Sequence, residues 1–195
     1  MLDAAITEFA RKGYPDTTID DLIAAARMGV GSFYAHFAGK EQCLLAAVDL
    51  IVNEAVDQVT SAAKQADSWP KEMSLGLWGL LGWLAEHPAH GRVALVEVQS
   101  AGPAAASRYE TMLRIGAEAL RSGRKAVKTP FELSPRLEET AVAGVAWVLR
   151  RNLVSEDPSS LPALFPELGR MILEPYVGDD AARDATEWVL TTAGA

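Results

Sequence analysis

A single cysteine among 195 residues, Cys43, excludes an internal disulfide and any paired-cysteine zinc or redox site. With Leu44, Leu45 and Ala46 beside it and no resolving partner, Cys43 reads as a small buried apolar residue. Long apolar runs are missing as well. Charged residues, glycines and prolines interrupt every candidate short of the ~18 residues that a membrane span needs. No stretch joins a basic segment, an apolar core and a small-residue cleavage site, so the cytoplasm is the simplest compartment. Histidine is scarce: His87 and His90 form the one close pair, with no Glu or Asp placed downstream to complete a metal set. A phosphate-binding loop, a dinucleotide fingerprint and a nucleophile elbow are all absent, so neither catalysis nor a cofactor is expected. Positive charge is in short supply too. A net charge of −8 argues against a protein that coats polyanions, and leaves room only for a small local footprint.

Apolar residues, about half the chain at 49%, recur at helical spacing almost everywhere, while strand-like alternation is hard to find. The expectation is an all-α protein. Leu2, Ala5, Ile6, Phe9 and Ala10 share one face of a first helix that Gly13 ends. Thr17 or Thr18 caps the next, with Asp20 or Asp21 three residues on as a capping-box partner, and Ile19, Leu22, Ile23 and Ala26 face inward. Arg27-Met28-Gly29 breaks that helix. Gly31 to Phe37 makes about two turns of a third, and from Lys40 a long helix runs to about Gln65. Three helices, two of them joined by a three-residue turn, are the makings of a helix-turn-helix unit whose short last helix can enter a major groove.

The residues of that last helix suit such a task. Gly29, Gly31 and Ser32 allow close backbone approach to phosphates or base edges. Phe33 and Phe37, four apart, plug the core, whereas Tyr34 and His36 offer an O–H and an N–H to phosphate oxygens, joined by the Lys40 ammonium. Thr17 and Thr18 add donors at the start of the preceding helix. Taken singly, each residue has a plainer reading: Tyr34 as a core aromatic, His36 as a helix-terminal polar residue, Lys40 as a solvated charge. Together, "LDAAITEFARKGYPDTTIDDLIAAA" followed by "GSFYAHFAGKEQCLL" resembles the N-terminal domain of the TetR family of transcriptional regulators. In that family an aromatic-Tyr-x-His-Phe pattern is followed three residues later by Lys, and Phe33, Tyr34, His36, Phe37 and Lys40 occupy those places. The resemblance is close over about residues 1–46 and holds in outline beyond. It implies a ligand-responsive regulator, most simply a repressor, that binds a palindromic double-stranded DNA operator as a homodimer. The DNA contacts would come from Thr17, Thr18, Gly29, Val30, Gly31, Ser32, Phe33, Tyr34, His36 and Lys40.

Three departures from the family pattern bear on function. Arg27 stands where relatives carry a glycine that tolerates a left-handed conformation. Val30 replaces a residue that is often polar or basic, which favours apolar contact with thymine methyl groups. Residues 1–45 hold four Lys or Arg against six Asp or Glu. The basic arm that precedes this stretch in relatives is not in it, and without one the salt dependence of DNA binding would be shallow.

Beyond about residue 66 the composition changes. Leu75, Leu77, Trp78, Leu80, Leu81, Trp83 and Leu84 make a helix apolar nearly all round, expected in the middle of a second domain. Val93 to Val98 continue in helix, another carries Tyr109, Met112 and Leu120, Pro158 to Leu164 is a loop, and Asp179-Asp180 caps a last helix. The basic cluster Arg121, Arg124, Lys125 and Lys128 reads as a solvated helix end. The domains expected are thus 1–46, a DNA-binding domain, and 47–195, a larger helical domain for effector binding and dimerisation, joined by the long fourth helix. Trp78, Trp83, His87, Glu97, Tyr109, Met112 and Trp147 are the candidates to line an effector pocket, with plain core as the alternative for each aromatic. By resemblance, the faces Val142–Leu153 and Phe165–Leu173 would form the dimer interface. A helical small-molecule-binding or scaffold protein that does not touch DNA is the competing reading, separable by a gel shift.

Overall fold

The computed structural model describes residues 1–127, 132–155 and 157–193, and every regular element among them is helical. Helix α1, Leu2–Lys12, buries Ala5, Ile6 and Phe9 and stops at Gly13, whose φ of 84° a side chain would resist. Helix α2, Ile19–Ala26, is capped by Thr18 rather than Thr17. Its hydroxyl accepts the Asp21 N–H at 3.2 Å, while the Asp21 carboxylate accepts the Thr18 N–H at 2.8 Å, a reciprocal capping box. A three-residue turn leads to α3, Val30–His36, and α4 follows over Lys40–Ala63.

The remaining helices are α5 (Trp69–Glu86), α6 (Pro88–Leu95), α7 (Pro103–Arg121), the single turn α8 (Gly123–Ala126), α9 (Leu137–Ser155), α10 (Phe165–Val177) and α11 (Asp179–Ala193). Two segments depart from expectation. Glu97–Ser100, expected to continue α6, is a separate 3-10 turn after Val96. Pro158–Leu164, expected as a loop, is a 3-10 helix that Asp157 opens by accepting the Ser159 N–H. Its two prolines remove N–H donors, yet i to i+3 bonding tolerates a piece this short.

The helices pack as two compact units, Met1–Glu54 with His87–Met112, and Ala55–Glu86 with Leu113–Ala195. The sequence-based division at residue 46 therefore differs from the division by packing, which falls inside α4 and α7 and gathers 87–112 with the N-terminal helices. In the first unit α1 packs on α2 and on α6. Ile6, Phe9, Leu22, Phe33, Leu44, Val48 and Val93 form its core. Cys43 is buried among them, as its apolar neighbours implied, and burial pushes its thiol up to about 11, away from reactive thiolate.

The second unit carries all five tryptophans and is built on α5, α10 and α11, with Leu81, Leu161, Phe165, Leu173 and Val189 at its centre. Backbones of α10 and α11 approach closely: a Cβ on Gly169 would lie 2.7 Å from Thr186 Cγ2. The basic cluster read as solvated is instead partly structural. Arg124 donates in two places to the fully buried Glu138 carboxylate, at 2.6 and 3.0 Å, and Tyr176 Oη donates to it at 2.7 Å. Burial alone would raise the Glu138 carboxyl, but these donors hold it down at about 2. Burial, and then the same bond to Glu138, pushes the Tyr176 phenol up. Lys125 is exposed, and Lys128 lies outside the described residues.

Candidate nucleic-acid interface

Helix α2 ends in a Schellman turn: Arg27 N–H donates to the Ala24 carbonyl at 3.2 Å and Met28 N–H to that of Ile23 at 3.1 Å. The motif requires a left-handed residue, and Arg27 supplies it at φ 51°, ψ 45°, the one described non-glycine residue with positive φ. The missing glycine leaves two outcomes, a strained left-handed Arg27 or an altered turn, and the structure has the first. It costs about 1 kcal/mol and leaves the guanidinium exposed beside α3 in sequence.

Helix α3 is anchored by Phe33, which has no exposed surface and so serves the core rather than the DNA contact expected of it; it meets the Tyr34 ring edge-on at 5.4 Å and lies 5.6 Å from that of Phe37. Phe37, expected in the core with it, is half-buried. Around the anchor, Val30 is 57% exposed and Tyr34 53%, and Gly31, Ser32 and His36 are exposed with them. Among the described residues, nothing beyond the helix's own backbone and the adjoining residues lies within 4 Å of where a Cβ on Gly29 or Gly31 would be, so the start of the helix is open to a close approach.

Three more of the expected contact residues, Thr17, Thr18 and Lys40, have partners within the fold. Thr17 is 1% exposed and its hydroxyl donates to the Gly13 carbonyl at 2.7 Å, so the side chain is structural. Thr18 is exposed, and its hydroxyl donates to Asp21 at 2.7 Å. The Asp21 carboxyl is held well below its usual range by Lys12, 2.7 Å away, and by Thr18, which keeps a negative charge at the start of α2. Lys40, expected as a free phosphate donor, gives two hydrogen bonds to carbonyls, Tyr14 at 2.7 Å and Pro15 at 3.1 Å. Its ammonium also lies 4.4 Å from the centre of the Tyr14 ring. One N–H of three is left for an anion.

The expected effector-pocket residues are divided. His87, Glu97, Tyr109 and Met112 belong to the first unit, and Trp78, Trp83 and Trp147 to the second. Glu97, 5% exposed, accepts the Tyr14 N–H at 2.7 Å. His87 is exposed and stacks edge-on against His90, while Tyr109 and Met112 are half-buried. Trp83 is buried, and Trp78 meets Phe165 edge-on at 5.3 Å. Trp147 is 58% exposed and so faces outward from its unit. A groove of about 550 Å³ in the second unit is bounded by Asp67, Trp69, Glu72 and Ser122, and includes none of these candidates.

A short helix rooted by one aromatic, exposing its other face after a three-residue turn, defines a helix-turn-helix module. Residues 1–47 match the family model for bacterial regulatory proteins of the tetR family, and this segment is a TetR-type helix-turn-helix domain. Two curated relatives match part of the chain. The HTH-type transcriptional regulator YerO of Bacillus subtilis is 30% identical over 74 residues, covering 37% of this chain and 26% of that protein. IcaR of Staphylococcus epidermidis, the negative transcriptional regulator of the biofilm operon icaADBC, is 35% identical over 57 residues, 29% of this chain and 31% of that one. The matches thus span about a quarter and a third of those relatives.

Solved structures extend the likeness along the chain. The fatty acid degradation regulator FadR of Bacillus halodurans superposes with a TM-score of 0.76 at 19% identity, over 88% of this chain and 95% of its own. FadR of Bacillus subtilis, in complex with stearoyl-CoA, gives 0.76 at 17%, over 91% and 96%. SmeT, the repressor of a multidrug efflux pump of Stenotrophomonas maltophilia, gives 0.73 at 21%, over 92% and 90%. Over 88–92% of its length the chain therefore has the fold of these regulators. No described helix is long and apolar enough to cross a membrane.

Sequence reasoning missed Arg27 as an exposed cation of the reading module, although its cost was legible. It missed the commitment of Glu97 and Lys40 to one turn, for which no local signal exists, because their partners lie 83 and 26 residues away.

Proposed function

We propose that this chain is a transcriptional regulator that binds a palindromic operator as a homodimer, represses from it, and is released by a small, largely apolar effector. The observation that carries the DNA reading is the outward face of α3, where Val30, Ser32, Tyr34 and His36 are exposed while Phe33 fixes the helix to the core. Val30 suits a thymine methyl group, and the Ser32 and Tyr34 hydroxyls and the His36 ring suit phosphate oxygens. A duplex selected by the wild-type chain from a random-sequence library supplies the probe. Tyr34→Phe and His36→Ala should each weaken binding to it several-fold with helicity unchanged. Wild-type affinity in both variants refutes the assignment.

Two copies are needed because one short helix reads few base pairs, and a twofold pair spaced by ~34 Å reads a palindrome on one face of the duplex. Exposed apolar side chains on the helices expected to pair support the dimer: Trp147 at 58% and Val154 at 51% on α9, and Met171 at 42% on α10. Sedimentation of the wild type should give a dimer and Trp147→Glu a monomer, whereas a wild-type monomer at micromolar concentration would exclude the pairing.

The effector reading rests on the aromatic second unit and on the stearoyl-CoA bound by the Bacillus subtilis FadR. An acyl thioester or aromatic acid that raises the melting temperature should also lower affinity for the selected duplex, because induction needs differential affinity for the two states. Ligands that stabilise the protein and leave duplex binding unchanged refute the coupling.

A further inference from the structure

The turn between α1 and α2 has its polar backbone groups taken up by three different segments. The Gly13 carbonyl accepts both the Thr17 hydroxyl at 2.7 Å and the Thr17 N–H at 3.1 Å. The Tyr14 N–H goes to Glu97 Oε2 at 2.7 Å, from the 3-10 turn that follows α6. The Tyr14 and Pro15 carbonyls go to Lys40 Nζ, at the first residue of α4. Glu97 is nearly fully buried, where a carboxylate is costly unless it is hydrogen-bonded, and Arg92 Nε approaches its other oxygen at 3.5 Å. Gly13 turns the chain here with a φ of 84° that a side chain would resist, and Glu97 Oε2 lies in contact range, 3.4 Å, of where its Cβ would be. Lys40 comes four residues after the end of α3, so the turn it grips is tied to the trailing end of the DNA-facing helix.

We propose that Glu97 is a positioning residue for DNA reading. Its carboxylate fixes the α1–α2 turn through the Tyr14 amide, and the turn in its place fixes the α3–α4 junction through Lys40. Beside the packing of α1 on α6, the latch is therefore a route by which a displacement of the 88–100 segment reaches α3. A carboxylate needs no partner on the DNA to act this way, and its removal changes the placement of the donors rather than their number. The proposal rests on the DNA reading above.

The test uses the full chain with Glu97→Leu, which deletes the acceptor at similar bulk, and Glu97→Gln, which keeps an acceptor oxygen without the charge. Affinity is measured on the library-selected duplex, and hydrogen exchange is followed at the Tyr14 amide, with the Val48 and Ile51 amides of α4 as internal controls of folding. E97L should bind about tenfold more weakly and free the Tyr14 amide, with α4 still protected, while E97Q stays within about threefold of wild type. Wild-type affinity in E97L overturns the proposal, whether or not the amide is freed. So does a loss in E97Q as large as in E97L, which would assign the effect to charge pairing with Arg92. Where E97L costs the unit its fold, Glu97→Asp, one methylene short of the amide, decides by the same two readouts: a freed amide with weakened binding supports the latch, and wild-type affinity overturns it. A wild-type chain that selects no duplex defeats the DNA reading itself and this proposal with it. Unaffected variants of a wild type that does bind defeat the latch alone.

Discussion

Raising the salt concentration should weaken operator binding far less than it does for most DNA-binding proteins. The cations near the reading helix are few and mostly engaged. Arg11 pairs with Glu8, Lys12 with Asp21, and Lys40 gives two of its three donors to carbonyls. Arg27, exposed on the turn, and the remaining donor of Lys40 allow about two phosphate neutralisations per protomer, or about four for a dimer. At about −0.9 each, the slope of log affinity against log salt is about −3.6, so a rise from about 50 to about 200 mM lowers affinity about 150-fold. Proteins with six to ten phosphate contacts lose roughly 10³- to 10⁵-fold over that range. Fluorescence anisotropy with a labelled duplex in a KCl series measures the slope directly. Lys40→Ala should make it shallower by about 2 for the dimer. A wild-type slope steeper than about −6 would mean that Arg11 and Lys12 leave their carboxylates for phosphate, and the count from the free structure would be wrong.

Three other outcomes follow from the packing. Arg27→Gly relieves the left-handed strain and should stabilise the first unit by about 1 kcal/mol in circular dichroism melts, while removing an exposed cation and so weakening DNA binding. Phe33→Ala should cost roughly 3–5 kcal/mol, and Phe37→Ala clearly less because its ring is half-buried; equal losses would contradict the anchoring role of Phe33. Glu138, at about 2 folded against an ordinary 4.5, contributes stability that is complete above its unfolded value and lost as pH falls toward about 2. That amounts to roughly 3 kcal/mol, and Glu138→Gln should flatten this acid limb in urea unfolding, where an unchanged limb would refute the network's role.

What could be read from the residues was local in kind. Gly13, the Thr-Thr-Ile-Asp-Asp run and the i, i+3, i+4 spacing of Leu44, Ala47, Val48 and Ile51 each carry their signal within one or two helical turns, and the helices lie where those signals put them. The left-handed Arg27 was legible for the same reason. Partnership between distant residues was not. Nothing in the neighbourhood of Arg124 says that Glu138 will be buried against it, and nothing near Lys40 points to the Tyr14 carbonyl. Periodicity marks Trp147 and Trp83 alike as apolar positions, yet one is exposed and the other buried, because which neighbour covers a face is decided by packing. The choice between Thr17 and Thr18 turned on a single residue of register, which decides whether a hydroxyl faces Gly13 or Asp21.

The confinement of every tryptophan to the second unit divides the molecule optically. Trp69, Trp78, Trp83, Trp147 and Trp188 all lie there, while the aromatic residues of the first unit are tyrosines and phenylalanines. Red-edge excitation is therefore blind to the DNA-reading half, and an emission-monitored denaturation curve reports its companion alone. Far-ultraviolet circular dichroism sees the helices of both. Coincident curves from the two signals would mean that the halves melt as one cooperative body, and a gap between them would measure how far the reading half can come apart unseen.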